Sequence, residues 1–107
     1  MKKDLIIQTV LEYYDLDESI LNSATRKGEE SLARFMICSL LKEYTTMKPR
    51  QIGRVINRDR SSVHTALKSL GDLMAGNRYI YKDYQQIENN FIMKFSEVNG
   101  WVQSLVM

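Results

Sequence analysis

Along this chain apolar residues return every three or four positions, the spacing of one face of an α-helix. Leu5, Ile6, Thr9, Val10 and Tyr13 predict a first helix from about Asp4 to Tyr14. "DLDES" then predicts a short turn, where Asp17 can cap a brief helix that ends near Ser23 and turns Ile20 and Leu21 inward. "SATRKGEES" reads as a loop, because Gly28 and the Ser and Thr residues interrupt the period. Glu29 and Glu30 open the next helix in its first turn, where the helix dipole favours acids. That helix runs to about Thr45. Leu32, Met36, Leu40 and Tyr44 make one stripe, and Ala33, Ile37 and Leu41 widen it. Its place in the middle of the chain makes it the expected backbone of the core.

"TTMKPRQIGRVINRDRSSVHTALKSLGDLM" reads as helix, short turn, helix. Pro49 fits the first turn of a helix ending near Ile56, with Ile52, Val55 and Ile56 as its inner edge. Asn57 follows, a residue that tolerates the left-handed region. Either Asp59 or Ser61 can cap the next helix, of which Val63, Leu67, Leu70 and Met74 are the buried stripe. Two helices joined so closely are a helix-turn-helix pattern. Residues 77–107 form a tail in which Ile80, Tyr84, Ile87, Phe91 and Phe95 keep a helical repeat. A break is expected near Asn99–Gly100, and Trp101, Val102, Leu105 and Val106 close the chain.

Composition agrees with an all-α chain. A length of 107 residues supports one domain with a modest core, and a single proline with five glycines favours helices over turn-rich sheets. Cys38 is the only cysteine and sits in the apolar run "LARFMICSLLKEY", so a buried, inert thiol is expected there. With His64 the only histidine, no Cys/His metal grouping can be assembled, and a cytoplasmic protein is the simple reading. Asp4, Gln8 and Glu12 break the apolar character of the N-terminus, so no signal peptide or membrane span is expected.

Charge is uneven. Residues 48–68 carry Lys48, Arg50, Arg54, Arg58, Arg60 and Lys68 against Asp59 alone, whereas the whole chain is only +2. The first 30 residues hold four basic and seven acidic groups. This is a basic patch on a roughly neutral body. A recognition helix presents its N-terminal residues to the DNA major groove while flanking basic groups hold phosphates. Arg60 has the reach and fork geometry for guanine O6 and N7. Ser61, Ser62 and Thr65 are small polar residues that allow close approach, and His64 and Lys68 lie opposite the apolar stripe. Lys48, Arg50, Arg54 and Arg58 surround the turn and suit phosphate contact. The plainer alternative keeps Asp59, Ser61 and Ser62 as capping residues. It also leaves Arg34, set among apolar neighbours, to snorkel to the surface.

Four pieces in order, "VLEYYDLDESILNS", "ARFMICSLLKEYT", "RQIG" and "NRDRSSVHTA", resemble a known family without a gap. It is the C-terminal DNA-binding domain of the bacterial chromosomal replication initiator DnaA, over roughly Val10 to Leu73. The resemblance implies a Trp-repressor-like helix-turn-helix bundle that binds double-stranded DNA, here with an added C-terminal helical segment. It divides the chain into a DNA-binding part, 1–76, and an extension, 77–107, which packs on the core or mediates self-association. It implies base reading by Asp59, Arg60 and Ser61 and backbone contact by Ser62, while His64 is a base-reading candidate from its place opposite the apolar stripe. Arg58 would support that surface, and Arg34 would enter the adjacent minor groove. Phosphate contacts would fall at Arg26 and Lys27 and near Lys48 and Arg50.

Departures from the family pattern matter as well. The signature glycine is Asn57, the first signature histidine is Arg60 and the second is Thr65, so the family's sequence preference is not carried over. The basic loop is thinned to Arg26 and Lys27, between Thr25 and Gly28. No "GxxxxGK[ST]" loop is present, so no nucleotide or other cofactor is expected, and no ATP-driven initiation. The start "MKKD" and the added tail create the expectation of a complete small protein, of the kind a phage or mobile element encodes. The leading reading is sequence-preferring duplex binding in replication or transcription control, not enzymatic. The alternative is a protein-interaction or assembly module that kept the fold, with a homodimer or protein partner met through the tail.

Overall fold

Seventeen residues from Gly28 to Tyr44 form the helix around which the others pack. The computed structural model describes residues 2–23 and 28–98. Among these, α1 is Lys2–Tyr14, a 3₁₀ segment is Glu18–Leu21, α2 is Gly28–Tyr44, α3 is Pro49–Val55, α4 is Arg60–Gly76 and α5 is Arg78–Val98. Arg26, Lys27, Trp101, Val102, Leu105, Val106 and the expected break at Asn99–Gly100 lie outside the described residues.

Helix α2 buries Ala33, Met36, Ile37, Cys38, Leu40 and Leu41 because it meets α1, α3 and α4 on different sides. The expected central role is therefore observed. Helix α1 differs in detail from the expected stripe. Ile6, Ile7, Thr9, Val10 and Leu11 are buried, while Tyr13 is exposed at the rim. The reason is that α1 packs against both α2 and α5, so its buried arc is wider than one stripe. Tyr14 fills the position nearer the core, its hydroxyl approaching the Met36 sulfur at 3.6 Å. Thr9 is buried without cost, since its hydroxyl donates to the Leu5 carbonyl at 2.6 Å.

Capping sets the boundaries. Asp17 accepts the Ser19 amide at 2.8 Å and starts the 3₁₀ segment. The break between α4 and α5 is made less by Gly76, whose φ is not positive, than by Asn77. Asn77 is extended, and its side-chain oxygen accepts the Tyr79 amide at 2.9 Å, capping α5. Helix α5 then runs back along α4 and α1, burying Ile87 and Phe91 in the same cluster as Ile6, Leu40 and Leu70. The Phe91 ring meets Tyr44 edge-on at 5.1 Å. Cys38 is fully buried, and burial pushes its thiol up to about 12. No helix among the described residues is long and apolar enough to cross a membrane.

Candidate nucleic-acid interface

The α3–α4 unit begins with Lys48, whose amide donates to the Gln51 side-chain oxygen at 2.7 Å, and Pro49 occupies the first helical turn. Ile52 and Ile56 anchor it to the core. The turn is closed by backbone. Asn57 takes φ 54°, a left-handed conformation Asn accepts more readily than most residues, and the Arg58 amide donates to the Gly53 carbonyl at 2.8 Å. That closeness explains Gly53. A β-carbon there would stand 2.5 Å from the Arg58 carbonyl oxygen, and backbone cannot step aside as a side chain can. Sequence reading passed over this glycine; "RQIG" before a tight turn was the signal.

Of the two capping candidates, Asp59 is the cap. It is extended, and its Oδ1 accepts the Ser62 amide at 2.8 Å. This hydrogen bond holds its carboxyl below the usual range. Only one carboxylate oxygen has a partner among these contacts, so the other keeps its acceptor capacity. Arg60, Ser61, His64, Thr65 and Lys68 are exposed along the first turns of α4, whereas Ser62 is half-buried. Val63, Ala66 and Leu70 point inward, with Leu67 and Met74 half-buried beside them.

Arg58 does more than decorate this surface. Its guanidinium donates to the Ile56 carbonyl at 2.9 Å, to the Asn57 carbonyl at 3.3 Å and to the Ser23 carbonyl at 2.5 Å. One side chain therefore ties the turn to the segment after the 3₁₀ helix, 35 residues away. Arg34 is buried, with 5% of its surface exposed. It donates to the Ile20 carbonyl at 3.1 Å and the Ser31 hydroxyl at 3.2 Å. Burial, and then the charge of Arg58, shift its pKa downward.

Two clefts result. One, about 700 Å³, lies between α2 and the start of α4 and brings Ser31, Arg34 and Phe35 together with Asp59, Ser62 and Thr65. The other, about 450 Å³, is lined by Arg50, Arg54, Arg58, Asp59, Arg60 and Ser61. Four guanidinium-bearing residues thus converge beside a helix N-terminus, where backbone amides add positive potential. Lys48 is exposed at the head of α3 and Lys68 two turns along α4. Among the described residues, no group of three or more His, Cys, Asp or Glu is placed to hold a metal ion.

Comparison with known proteins matches residues 3–70 to the family described as bacterial DnaA protein helix-turn-helix. The chromosomal replication initiator protein DnaA of Bacteroides thetaiotaomicron is 30% identical over 87 residues, 80% of this chain and 18% of that protein. The protein of the same name from Tropheryma whipplei is 28% identical over 89 residues, 83% of this chain and 18% of its own length. The chain thus spans less than a fifth of these curated relatives. The matched segment takes in α1 to most of α4, and α5 is the added C-terminal helix of an all-α, Trp-repressor-like bundle.

Proposed function

The chain belongs to the bacterial DnaA helix-turn-helix family, and on that premise we propose that it is a sequence-preferring double-stranded-DNA-binding protein. Its role would lie in replication or transcription control, and it would not be enzymatic. The observation that carries the reading is the arginine-lined cleft beside the N-terminus of α4. A site with that charge and that helix end favours a phosphate chain.

In this reading α4 enters the major groove by its first turns. Arg60 donates to guanine O6 and N7, and the unpaired oxygen of Asp59 accepts from a cytosine amino group. Ser61 and His64 face neighbouring base edges. Lys48, Arg50, Arg54, Arg58, Ser62, Thr65 and Lys68 hold backbone phosphates, with Arg26 and Lys27 assigned the same task. Arg58 does so only with donors it does not spend on the turn. Arg34 turns toward the minor groove by leaving the Ile20 carbonyl, so its contact is coupled to a side-chain rearrangement. Residues 1–76 are the binding domain and 77–107 its extension.

A second reading, a protein-interaction module with weak DNA contact, is favoured by the burial of Arg34 and by the engagement of Arg58 with carbonyls. Fluorescence anisotropy with duplexes recovered from a random pool, and with the pool itself, separates the two. Binding that falls steeply with salt, and is tighter for recovered duplexes, supports sequence-preferring recognition. Absence of binding at low salt would sink it.

A further inference from the structure

Six large apolar side chains are exposed among the described residues, and four of them, Tyr79, Tyr81, Ile92 and Met93, lie on α5. Tyr79 and Met93 lie on one outer flank of that helix and Tyr81 and Ile92 on the other, both away from Ile87 and Phe91. Tyr79, Lys82, Gln86, Asn89 and Met93 follow one another at spacings of three and four and are all exposed, which makes a second seam along α5. Between Lys82 and Glu97 every exposed residue of the helix is uncharged. The solvent face of an ordinary helix is rich in Lys and Glu, whereas an interface loses charge at its centre and gains Tyr and Met.

We infer that this strip docks on the same strip of a second copy, with the two α5 helices antiparallel. Charge selects both occupant and direction. The uncharged strip is bounded by Lys82 at one end and Glu97 at the other. A two-fold axis between Asn89 and Asn90 sets Lys82 against Glu97 of the partner subunit and, by symmetry, repeats the pair at the far end. Gln86 then meets Met93 of the partner subunit. Parallel pairing would stack like charges at both ends. A strip with opposite ends and a neutral middle complements itself better than it complements a wholly acidic or basic partner.

The basic face stays free. Arg60 opens α4 and Gly76 ends it, and a helix of 17 residues is about 25 Å long. Tyr84, Glu88 and Phe91 of α5 meet Ser39 and Tyr44 in the C-terminal half of α2, whereas Asp59, Ser62 and Thr65 lie with Ser31 and Arg34 at its N-terminal end, so the reading end is remote from the middle of the strip. The inference does not depend on what the α4 surface binds.

Sedimentation equilibrium of the full chain over a wide concentration range tests it. A monomer–dimer equilibrium is expected, and a wild-type chain that stays monomeric throughout overturns the inference. Gln86→Lys with Met93→Lys, both exposed and checked for folding by thermal melts, should raise the dimer dissociation constant about tenfold or more. Lys82→Glu and Glu97→Lys should each weaken the dimer, and the two together should restore it. A dimer indifferent to all four changes uses another surface. A charge-reversed pair that fails to restore it rules out antiparallel register. Affinity for a short single-site duplex, measured on the same variants, keeps loss of dimer distinct from loss of DNA binding.

Discussion

The α3–turn–α4 unit and helix α5 are attached to one core by different means. The first packs on the core through Ile52, Ile56, Val63 and Leu70, closes its turn by backbone, with the Arg58 amide on Gly53 and Asn57 left-handed, and reaches the Ser23 carbonyl through the Arg58 guanidinium. The second adds hydrogen bonds and an ion pair between side chains to its apolar packing. Ile87 and Phe91 are buried, Tyr13 donates to Asp83 at 2.8 Å, Tyr44 to Glu88 at 2.7 Å, and Lys94 pairs with Glu12 at 2.6 Å. Closure of the turn by backbone leaves the outward side chains of α4 free to change with a ligand. Side-chain attachment makes α5 sensitive to truncation and to pH.

The largest effect is expected from Phe91→Ala. It removes a fully packed ring from the shared cluster and should cost about 3–5 kcal/mol, read from urea unfolding. If α5 were only an appendage, the loss would be confined to helix α5 fraying while the remaining cooperative transition stayed in place. Gly53→Ala comes next, at about 1–3 kcal/mol, since the new methyl group meets backbone on the far side of the turn. A folded variant with wild-type stability would show that the turn can open.

Alkaline pH sharpens the contrast further. The carboxylate of Glu88, which accepts its hydroxyl proton, pushes the Tyr44 phenol up to about 12, from an ordinary 10.0. Across that window the unfolded chain has released the proton that the folded chain keeps, so stability falls as pH rises. Tyr13 and Tyr14, which donate to Asp83 of α5, and Tyr84, on α5 itself and paired with Ser39, are raised as well. Melting temperatures followed from pH 8 to pH 11.5 should therefore decline, and Tyr44→Phe should make the decline shallower. Arg60→Ala should do least to the fold, changing stability by under about 0.5 kcal/mol. It should nevertheless relax preference at one base position by about 1–3 kcal/mol, whereas Lys48→Ala weakens all duplexes alike. Anisotropy on a panel of single-base variants measures both.

Much of this architecture was legible from residue spacing. The helices, the Asp17 cap, the central place of Gly28–Tyr44 and the helix-turn-helix all follow from three-and-four periodicity and a few punctuating residues. These are local signals, and local backbone preference responds to them directly. The candidate site was legible as a set of basic and small polar residues around Asn57–Lys68, because charge and capping chemistry lie close together in the chain. From spacing, Arg34 was legible as a residue of unusual setting, and only the family resemblance gave it a minor-groove role. Its carbonyl partner lies 14 residues away and that of Arg58 lies 35 away, and no period announces such contacts.

Sequence alone determined, then, which segments become helices, where the chain turns and which faces must be hidden, since those depend on side-chain size, polarity and backbone freedom over a few residues. Tertiary structure decided what crosses between segments. It packed Tyr14, half-buried, against the core rather than Tyr13, demanded a bare α-carbon at Gly53, made Arg58 a clamp and left a neutral strip along α5. Those outcomes depend on where distant backbones meet in space, and spacing along one segment carries no information about the neighbour it will find.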